Sequence, residues 1–179
     1  MPTDYTEYIY QQIENCVVTV CRNLKRGALP RHVQAYLPYD RAEGSVRRDM
    51  GAMWQMGRLA RIGRAGSRRG YRVASGDERF LFEWLPAAMR MLSIPNPPSK
   101  SPLASQGETL KAGRGVRVED IAGMLDRDDV DRVRAVLDWL ADLGKVVALD
   151  NGSYRAPSQL ERLSWRINGT FPYGVTRVA

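Results

Sequence analysis

The fold is decided by residues 45–63, SVRRDMGAMWQMGRLARIG, because this stretch joins a helical pattern to the start of a hairpin. Apolar residues recur every three or four positions and form one side of a helix, which Gly57 then ends. Two short strands, 59–62 and 71–74, flank a turn at 63–70 that is rich in glycine and arginine, as expected of a hairpin. The apolar side of the helix carries Val46, Met50, Met53 and Trp54.

Two more helices are predicted before this stretch. Apolar spacing indicates a first helix over residues 4–26, and Pro30 starts a short second helix that runs to Leu37. Asp40 fits the cap position of the third helix, which we place at residues 43–57. The first part of the chain therefore reads as helix, helix, helix, hairpin.

The same order occurs a second time. Residues 132–150, RVRAVLDWLADLGKVVALD, align with residues 45–63 without gaps at a shift of 87, and Gly57 meets Gly144. A repeat of this kind indicates a duplicated structural unit. Matched positions include Val46 with Val133, Met50 with Leu137, Met53 with Leu140, Arg58 with Lys145, and, at a shift of 83, Tyr71-Arg72 with Tyr154-Arg155.

The repeat predicts two domains, at residues 1–75 and 76–157, in a mainly α fold with small β-hairpins. In the second domain a short helix at 118–125 precedes a longer helix at 127–143, for which Asp126 fits the cap position. An Asn-Gly pair then marks the turn of the second hairpin.

Three other segments frame the second copy. Residues 79–94 are apolar on every side, so this helix must be buried, and Pro86 either kinks it or marks its start. Residues 95–115 form a loop rich in Pro, Ser and Gly, and residues 158–179 form a C-terminal tail. Large apolar patches mark interfaces, so we expect a homodimer through residues 79–94 or the second domain. Burial inside the second domain is the alternative for Phe80, Phe82, Trp84 and Leu85.

Residues 45–50 and 56–63 resemble the recognition helix and first wing strand of bacterial winged-helix regulators. The second copy is similar at Ile121-Ala122, Leu125 and residues 133–147. The resemblance implies two winged-helix domains in tandem. It also implies a mode of DNA binding, in which the third helix enters the major groove and the wing contacts the backbone or minor groove.

Charge is distributed unevenly along the chain. The net charge is +7, with 13 Lys and Arg against 6 Asp and Glu in residues 1–74, and 14 against 14 in residues 75–179. A concentrated basic surface attracts phosphate backbones, although a basic face can also serve only solubility.

The predicted DNA-contacting surface combines the outward face of helix 43–57 with the arginine-rich wing at 63–72. Arginine suits guanine and phosphate, glutamine suits adenine, and glycine permits close approach of the backbone. The candidate residues are Ser45, Arg47, Arg48, Gly51, Gln55, Arg58, Arg61, Arg64, Ser67, Arg68, Arg69 and Arg72.

The second copy lacks this cationic face. Ala135 replaces Arg48, while Asp138 and Asp142 stand in place of Gly51 and Gln55. Carboxylates facing a groove would repel phosphates. The acidic helix 127–143 also carries Asp128 and Asp131. The second domain is therefore predicted to bind a protein partner or to act as a spacer rather than to read DNA.

Other classes of function have little support. Cys16 and Cys21 read as reduced core thiols, and His32 is the only histidine, which is too few ligands for a zinc site of the histidine–cysteine type. The sequence carries no recognisable phosphate-binding loop or nucleophile triad. We expect that the protein is not an enzyme, that it binds no cofactor or metal ion, and that it has no membrane-spanning segment.

The sequence thus predicts a cytoplasmic, nucleoid-associated protein that binds double-stranded DNA and regulates transcription with sequence specificity. The alternative is an accessory subunit of a replication, partition, recombination or defence complex, which would act mainly through protein contacts. Strong preference for one operator over random duplex would distinguish the regulator from the subunit.

Overall fold

Helices and two small antiparallel strand pairs form the part of the chain that the computed structural model describes. The mainly helical fold with small hairpins is confirmed. The chain divides into two compact units, Met1–Arg79 and Phe80–Ala179, so that the boundary falls slightly later than residue 75. The described residues are 4–62, 70–92, 115–125 and 128–168.

The first unit begins with a long helix, α1, at Asp4–Leu24. Its buried side recurs at helical spacing, and the helix ends two residues before the predicted Arg26, where Lys25 adopts a positive φ of 49°. The buried side consists of Ile9, Ile13, Cys16, Val17 and Val20. These residues form the core of the first unit together with the apolar residues of the next two helices.

Helices α2, at Pro30–Tyr36, and α3, at Glu43–Gln55, follow in the predicted order. The prediction that Asp40 caps α3 is wrong, because the cap residue is Ala42 and makes no side-chain cap hydrogen bond. After α3 the chain turns at Gly57, whose φ of 81° favours glycine.

A hairpin closes the first unit. Strands β1, Leu59–Ile62, and β2, Gly70–Val73, pair antiparallel, with Leu59 opposite Val73. Ala28, which precedes α2, pairs with Tyr71 through two backbone hydrogen bonds of 2.8 Å each. Gly27 and Gly70 permit this close approach, because a Cβ on Gly70 would lie only 2.5 Å from the carbonyl carbon of Gly27.

Helix α4, Gly76–Leu92, starts before the unit boundary and supplies the first helix of the second unit. Pro86 lies inside this helix and does not mark its start. Helices α5, Val118–Met124, and α6, Val130–Asp142, come next. Then follow strands β3, Val147–Ala148, and β4, Tyr154–Arg155, and the final helix α7, Gln159–Asn168.

The cap of α6 also differs from the prediction. Asp126 lies outside the described residues, and the cap residue is Asp129, whose side chain accepts a hydrogen bond from the backbone N–H of Arg132. The predicted loop at 95–115 likewise lies outside the described residues, apart from Gly115.

The two units share backbone details as well as the order of their elements. Val116 pairs with Tyr154 just as Ala28 pairs with Tyr71. After α3 and after α6 the chain makes the same turn. The Arg58 N–H donates to the Met53 carbonyl and the Lys145 N–H to the Leu140 carbonyl, both at 2.9 Å, and Gly144 has a φ of 68°.

The buried residues of α4 match those of α1 at a shift of 72, which extends the repeat beyond the stretch that the sequence alignment covers. Phe82 occupies the position of Tyr10, and a cation lies over each ring: Lys145 over Phe82 and Arg58 over Tyr10. The matched pairs are Ile9 with Leu81, Ile13 with Leu85, Cys16 with Ala88, and Val17 with Met89.

Helix α4 corresponds to the apolar helix predicted at 79–94. Leu85 is buried, and Phe82 packs against Trp139 within the second unit with 4.6 Å between ring centroids. The premise that these two side chains need a second copy to cover them is therefore wrong. Phe80 is 49% exposed and could still be covered by a second copy. The homodimer therefore stays a prediction.

In both units a clamp made of an arginine, a serine and a glutamate joins the second strand of the hairpin to the next helix. In the first unit the clamp consists of Arg72, Ser75 and Glu78. Arg72 Nη1 donates to Glu78 Oε2 at 2.6 Å. Ser75 and Glu78 form a capping box at the start of α4: the Ser75 N–H donates to Glu78 Oε2 at 2.8 Å, and the Glu78 N–H to Ser75 Oγ at 3.2 Å. The clamp thus ties the second strand to the helix that follows.

In the second unit the clamp consists of Arg155, Ser158 and Glu161. Arg155 binds Glu161 through both guanidinium ends, at 2.6 and 2.7 Å, and Ser158 completes the capping box. The predicted tail is therefore not separate from the second unit over 158–168. A Cβ on Gly144 would also overlap the ring of Trp165, in α7. Residues 169–179 lie outside the described part of the chain.

Candidate nucleic-acid interface

The outward face of α3 is open to solvent. The Arg47 side chain is 70% exposed, and Arg48 and Gln55 are exposed as well. A Cβ on Gly51 would meet nothing within 4 Å, so another molecule can approach the backbone there. The buried residues of the helix are Val46, Met50 and Met53 on the opposite side, and Trp54, which lies two turns after Arg47 at the border between the two sides.

The two arginines of this face have only weak local partners. Arg47 Nη2 lies 2.7 Å from Glu43 Oε1, one helical turn earlier, and Arg48 Nη2 donates to Ser45 Oγ at 3.3 Å. Exposed pairs of this kind contribute at most about 1 kcal/mol, so both guanidinium groups can exchange them for a phosphate or a base edge.

Arg61 is exposed on β1 next to this face. Its guanidinium carbon lies 3.6 Å from the centroid of the Trp54 ring and 5.8 Å from that of Tyr71. No carboxylate of the described residues forms a salt bridge with Arg61, so its charge remains available at the surface.

Arg58 is placed differently from the prediction. It does not project outward with Arg47 but turns back onto α1, where it binds Glu14 at 2.9 Å and Glu7 at 2.7 Å. The hydrogen bond with Glu14 raises the pKa of Arg58, and its side chain is only 19% exposed. The helical wheel fails at this position because the left-handed turn at Gly57 has already ended the helix.

Arg72, predicted to contact phosphate, belongs to the clamp. Hydrogen bonding to Glu78 raises the pKa of Arg72 and holds its side chain against the start of α4. A residue engaged by a buried carboxylate is a weak candidate for DNA contact. Four other candidates, Arg64, Ser67, Arg68 and Arg69, lie outside the described residues.

Sequence reasoning missed an exposed basic group at the junction of α1 and α2. Burial first, and then the charges of Arg26 and Arg31, lower the pKa of His32, so these cations lie near its ring. His32 Nδ1 accepts a hydrogen bond from the Leu29 N–H at 3.3 Å, so the imidazole has a structural role. Within the described ranges no salt bridge reaches the exposed cations Arg22, Lys25, Arg26 and Arg31. The excess of Lys and Arg over Asp and Glu in residues 1–74 was the signal in the sequence that could have indicated this basic group.

The equivalent face of α6 is chemically different. Asp138 accepts a hydrogen bond from the hydroxyl of Tyr154, and burial, followed by this bond, raises the pKa of that tyrosine. Arg134 pairs with Glu119 at 3.1 Å, and Arg132 pairs with Asp129 at 3.1 Å. The second unit thus presents Ala135 and the Asp138 carboxylate where the first presents Arg48 and an open glycine.

The remaining chemistry of the chain points to packing. Cys16 and Cys21 are thiols that donate to the carbonyls of Tyr36 and Tyr71, at 3.4 and 3.3 Å. Over the described ranges, no three His, Cys, Asp or Glu side chains are grouped to hold a metal ion. Nor does that part of the chain contain a helix long and apolar enough to cross a membrane.

No protein-family model matches the chain, and neither a curated protein nor a solved structure matches it significantly. The features that bear on function are therefore the geometry of the α3 face and the differences between the two units.

Proposed function

We propose that the chain is a double-stranded DNA-binding protein built from two winged-helix units, of which the first inserts α3 into the major groove. The order of three helices and a hairpin supports this fold, as does the bridge between Ala28 and Tyr71. That bridge adds a third extended segment to the two strands of the hairpin. In this arrangement the residues that link β1 to β2, which lie outside the described ranges, serve as the wing and contact the DNA backbone.

One observation carries the proposal: the outward face of α3 is exposed, cationic and open at its centre. Arg47 and Arg48 supply guanidinium groups that can bind guanine edges or phosphates in a bidentate manner. Gln55 can bind adenine, and Gly51 lets the helix backbone approach the groove closely. Because base contacts carry sequence information, we assign the protein to sequence-specific regulators of transcription that act at the nucleoid.

A second candidate is an accessory subunit of a larger DNA-processing complex. It is favoured by the α6 face, which keeps the helix but presents Asp131, Ala135 and Asp138. In that case the second unit would bind a protein, and the first would hold duplex without strong sequence preference.

Selection from a random duplex pool separates the two candidates. The full chain is incubated with the pool at about 0.1 M salt, the bound duplexes are sequenced, and their affinities are compared with that of random duplex over a salt series. A regulator enriches one motif and binds it about 10³-fold or more tightly than random DNA. Uniform binding supports the subunit. The absence of salt-dependent binding contradicts the regulator and favours the subunit, which acts mainly through protein contacts.

A further inference from the structure

Trp54 and Arg61 form a stacked pair where α3 ends and the hairpin begins. The 3.6 Å between the Arg61 guanidinium carbon and the Trp54 ring centroid is well within the roughly 6 Å range of a cation–π contact. Tyr71 lies opposite Arg61 in the strand register and contributes a second ring. Trp54 is buried and Arg61 is exposed, so a fixed ring holds a cation at the surface.

The second unit shows that the fold does not need this pair. At the shift of 87, Ala141 occupies the position of Trp54 and Ala148 that of Arg61. The register confirms the match, since Arg61 lies opposite Tyr71 and Ala148 lies opposite Tyr154. Both members of the pair are thus absent from a unit that keeps the same helix, glycine turn and hairpin.

The residues around this pair also differ between the two units. In the second unit the Tyr154 hydroxyl is engaged by Asp138, whose counterpart in the first unit is Gly51. In the first unit no carboxylate stands at that position, and the Tyr71 ring lies near Arg61 instead. Trp54 lies two turns after Arg47 on α3, so the stacked pair borders the exposed, cationic face of that helix.

We infer that Arg61 is a fixed phosphate contact for duplex DNA and that Trp54 is its positioning residue. A guanidinium that stacks through its flat face keeps its edge N–H groups available, and these bind a phosphate through charge-assisted hydrogen bonds. Because the stack already restricts the side chain, less conformational entropy is lost on binding. This inference rests on the proposed function and assigns Arg61, on β1, to a phosphate rather than to a base edge.

Arg61→Met tests the phosphate contact without opening the core. Methionine keeps an apolar cover over Trp54 but removes the charge. In anisotropy titrations of the full chain with a fluorescein-labelled random duplex, the salt slope should fall by about one unit and affinity by about five- to ten-fold near 0.1 M salt. Arg61→Lys should keep the slope and lose less affinity. Arg132→Ala, which removes an exposed arginine of the second unit, is the control and should bind like wild type.

Trp54→Leu tests the positioning role. It should weaken wild-type binding about two- to five-fold with an unchanged salt slope, and Trp54→Phe should restore most of the loss. In the Arg61→Met background, Trp54→Leu should have no further effect. Equal losses in both backgrounds would show that Trp54 acts only on the fold and would overturn its positioning role.

The results that would overturn this inference differ from those that would overturn the proposed function. If the wild type binds duplex with a salt slope and Arg61→Met matches it in affinity and slope, the inference is wrong and the proposed function stands. If the wild type shows no salt-dependent binding, the proposed function itself fails. Thermal melting accompanies every variant. If Trp54→Leu does not fold, the two Arg61 variants decide whether Arg61 contacts phosphate, and Trp54→Met in both Arg61 backgrounds decides the positioning role.

Discussion

The two units of this chain share their internal contacts and differ in the surface of their third helix. The clamp, the glycine turn and the cation over an aromatic ring recur in both units. Arg48, Gly51, Trp54 and Arg61 have no chemical counterpart in the second unit. Within one chain, the positions that repeat are those that hold the fold, and the positions that diverge point to the surface with a separate task.

The largest difference in stability should come from the two clamps. Arg155 and Glu161 are both buried, with side chains 7% and 10% exposed, whereas the Arg72 side chain is 40% exposed. Glu161→Ala leaves a buried guanidinium without its partner and should cost about 3–5 kcal/mol. Glu78→Ala should cost about 1–2 kcal/mol, mainly through the lost cap, because water can solvate Arg72.

Chemical denaturation followed by circular dichroism measures both changes, with two transitions allowed because the units can unfold separately. Glu161→Gln and Glu78→Gln keep the shape of the side chain and should each cost less than the matching alanine variant. Equal costs for the two alanine variants would contradict the assignment of different burial to the two clamps.

A smaller difference is expected at the paired glycine turns. Gly57 and Gly144 both adopt positive φ, so replacement by alanine should cost about 1–2 kcal/mol at each position. Gly144→Ala should cost more than Gly57→Ala, since its new Cβ must also displace the Trp165 ring. Thermal melts of the two variants test this order, and a milder effect at Gly144 would argue against the packing of α7 on that turn.

The smallest effect should appear in the acid stability of the clamps. Burial raises the pKa of Glu78 and of Glu161, but hydrogen bonds from arginine and serine outweigh it, and both pKa values lie below the ordinary one. Their contribution to stability is therefore complete above about pH 4.3 and is lost as the pH falls through the lowered values. Unfolding free energies measured between neutral pH and pH 3 should fall less in the double variant Glu78→Gln/Glu161→Gln than in wild type.

Hydrophobic periodicity predicted the helices and hairpins well, since α3, β1 and β2 lie close to their predicted positions. It could not predict the clamps, because the link from Arg72 to Glu78 depends on how β2 leads into α4. The pattern Tyr-Arg-x-x-Ser-x-x-Glu occurs at residues 71–78 and again at 154–161, and this repeat was the signal that could have shown it.

The candidate site was predictable in part. Burial follows the wheel along α3 up to Gln55, so Arg47 and Arg48 are exposed as expected. The wheel could not place Arg58, which lies beyond the helix end and binds Glu7 and Glu14 of α1. Nor could it place Arg61 on Trp54, because a contact between a strand and a helix is set by tertiary packing rather than by period.

The most direct test of the difference between the units compares two matched variants of the full chain, Arg47→Ala/Arg48→Ala and Arg132→Ala/Arg134→Ala. Each removes two arginines from an equivalent part of a third helix, and Arg47 and Arg134 are exact counterparts at the shift of 87. Duplex affinity is measured by anisotropy over a salt series, for the selected motif and for random DNA. The first variant should lose up to about two units of salt slope and most of its discrimination between the two duplexes. The second should bind like wild type, whereas equal losses from both variants, or salt-independent binding by the intact chain, would contradict the account.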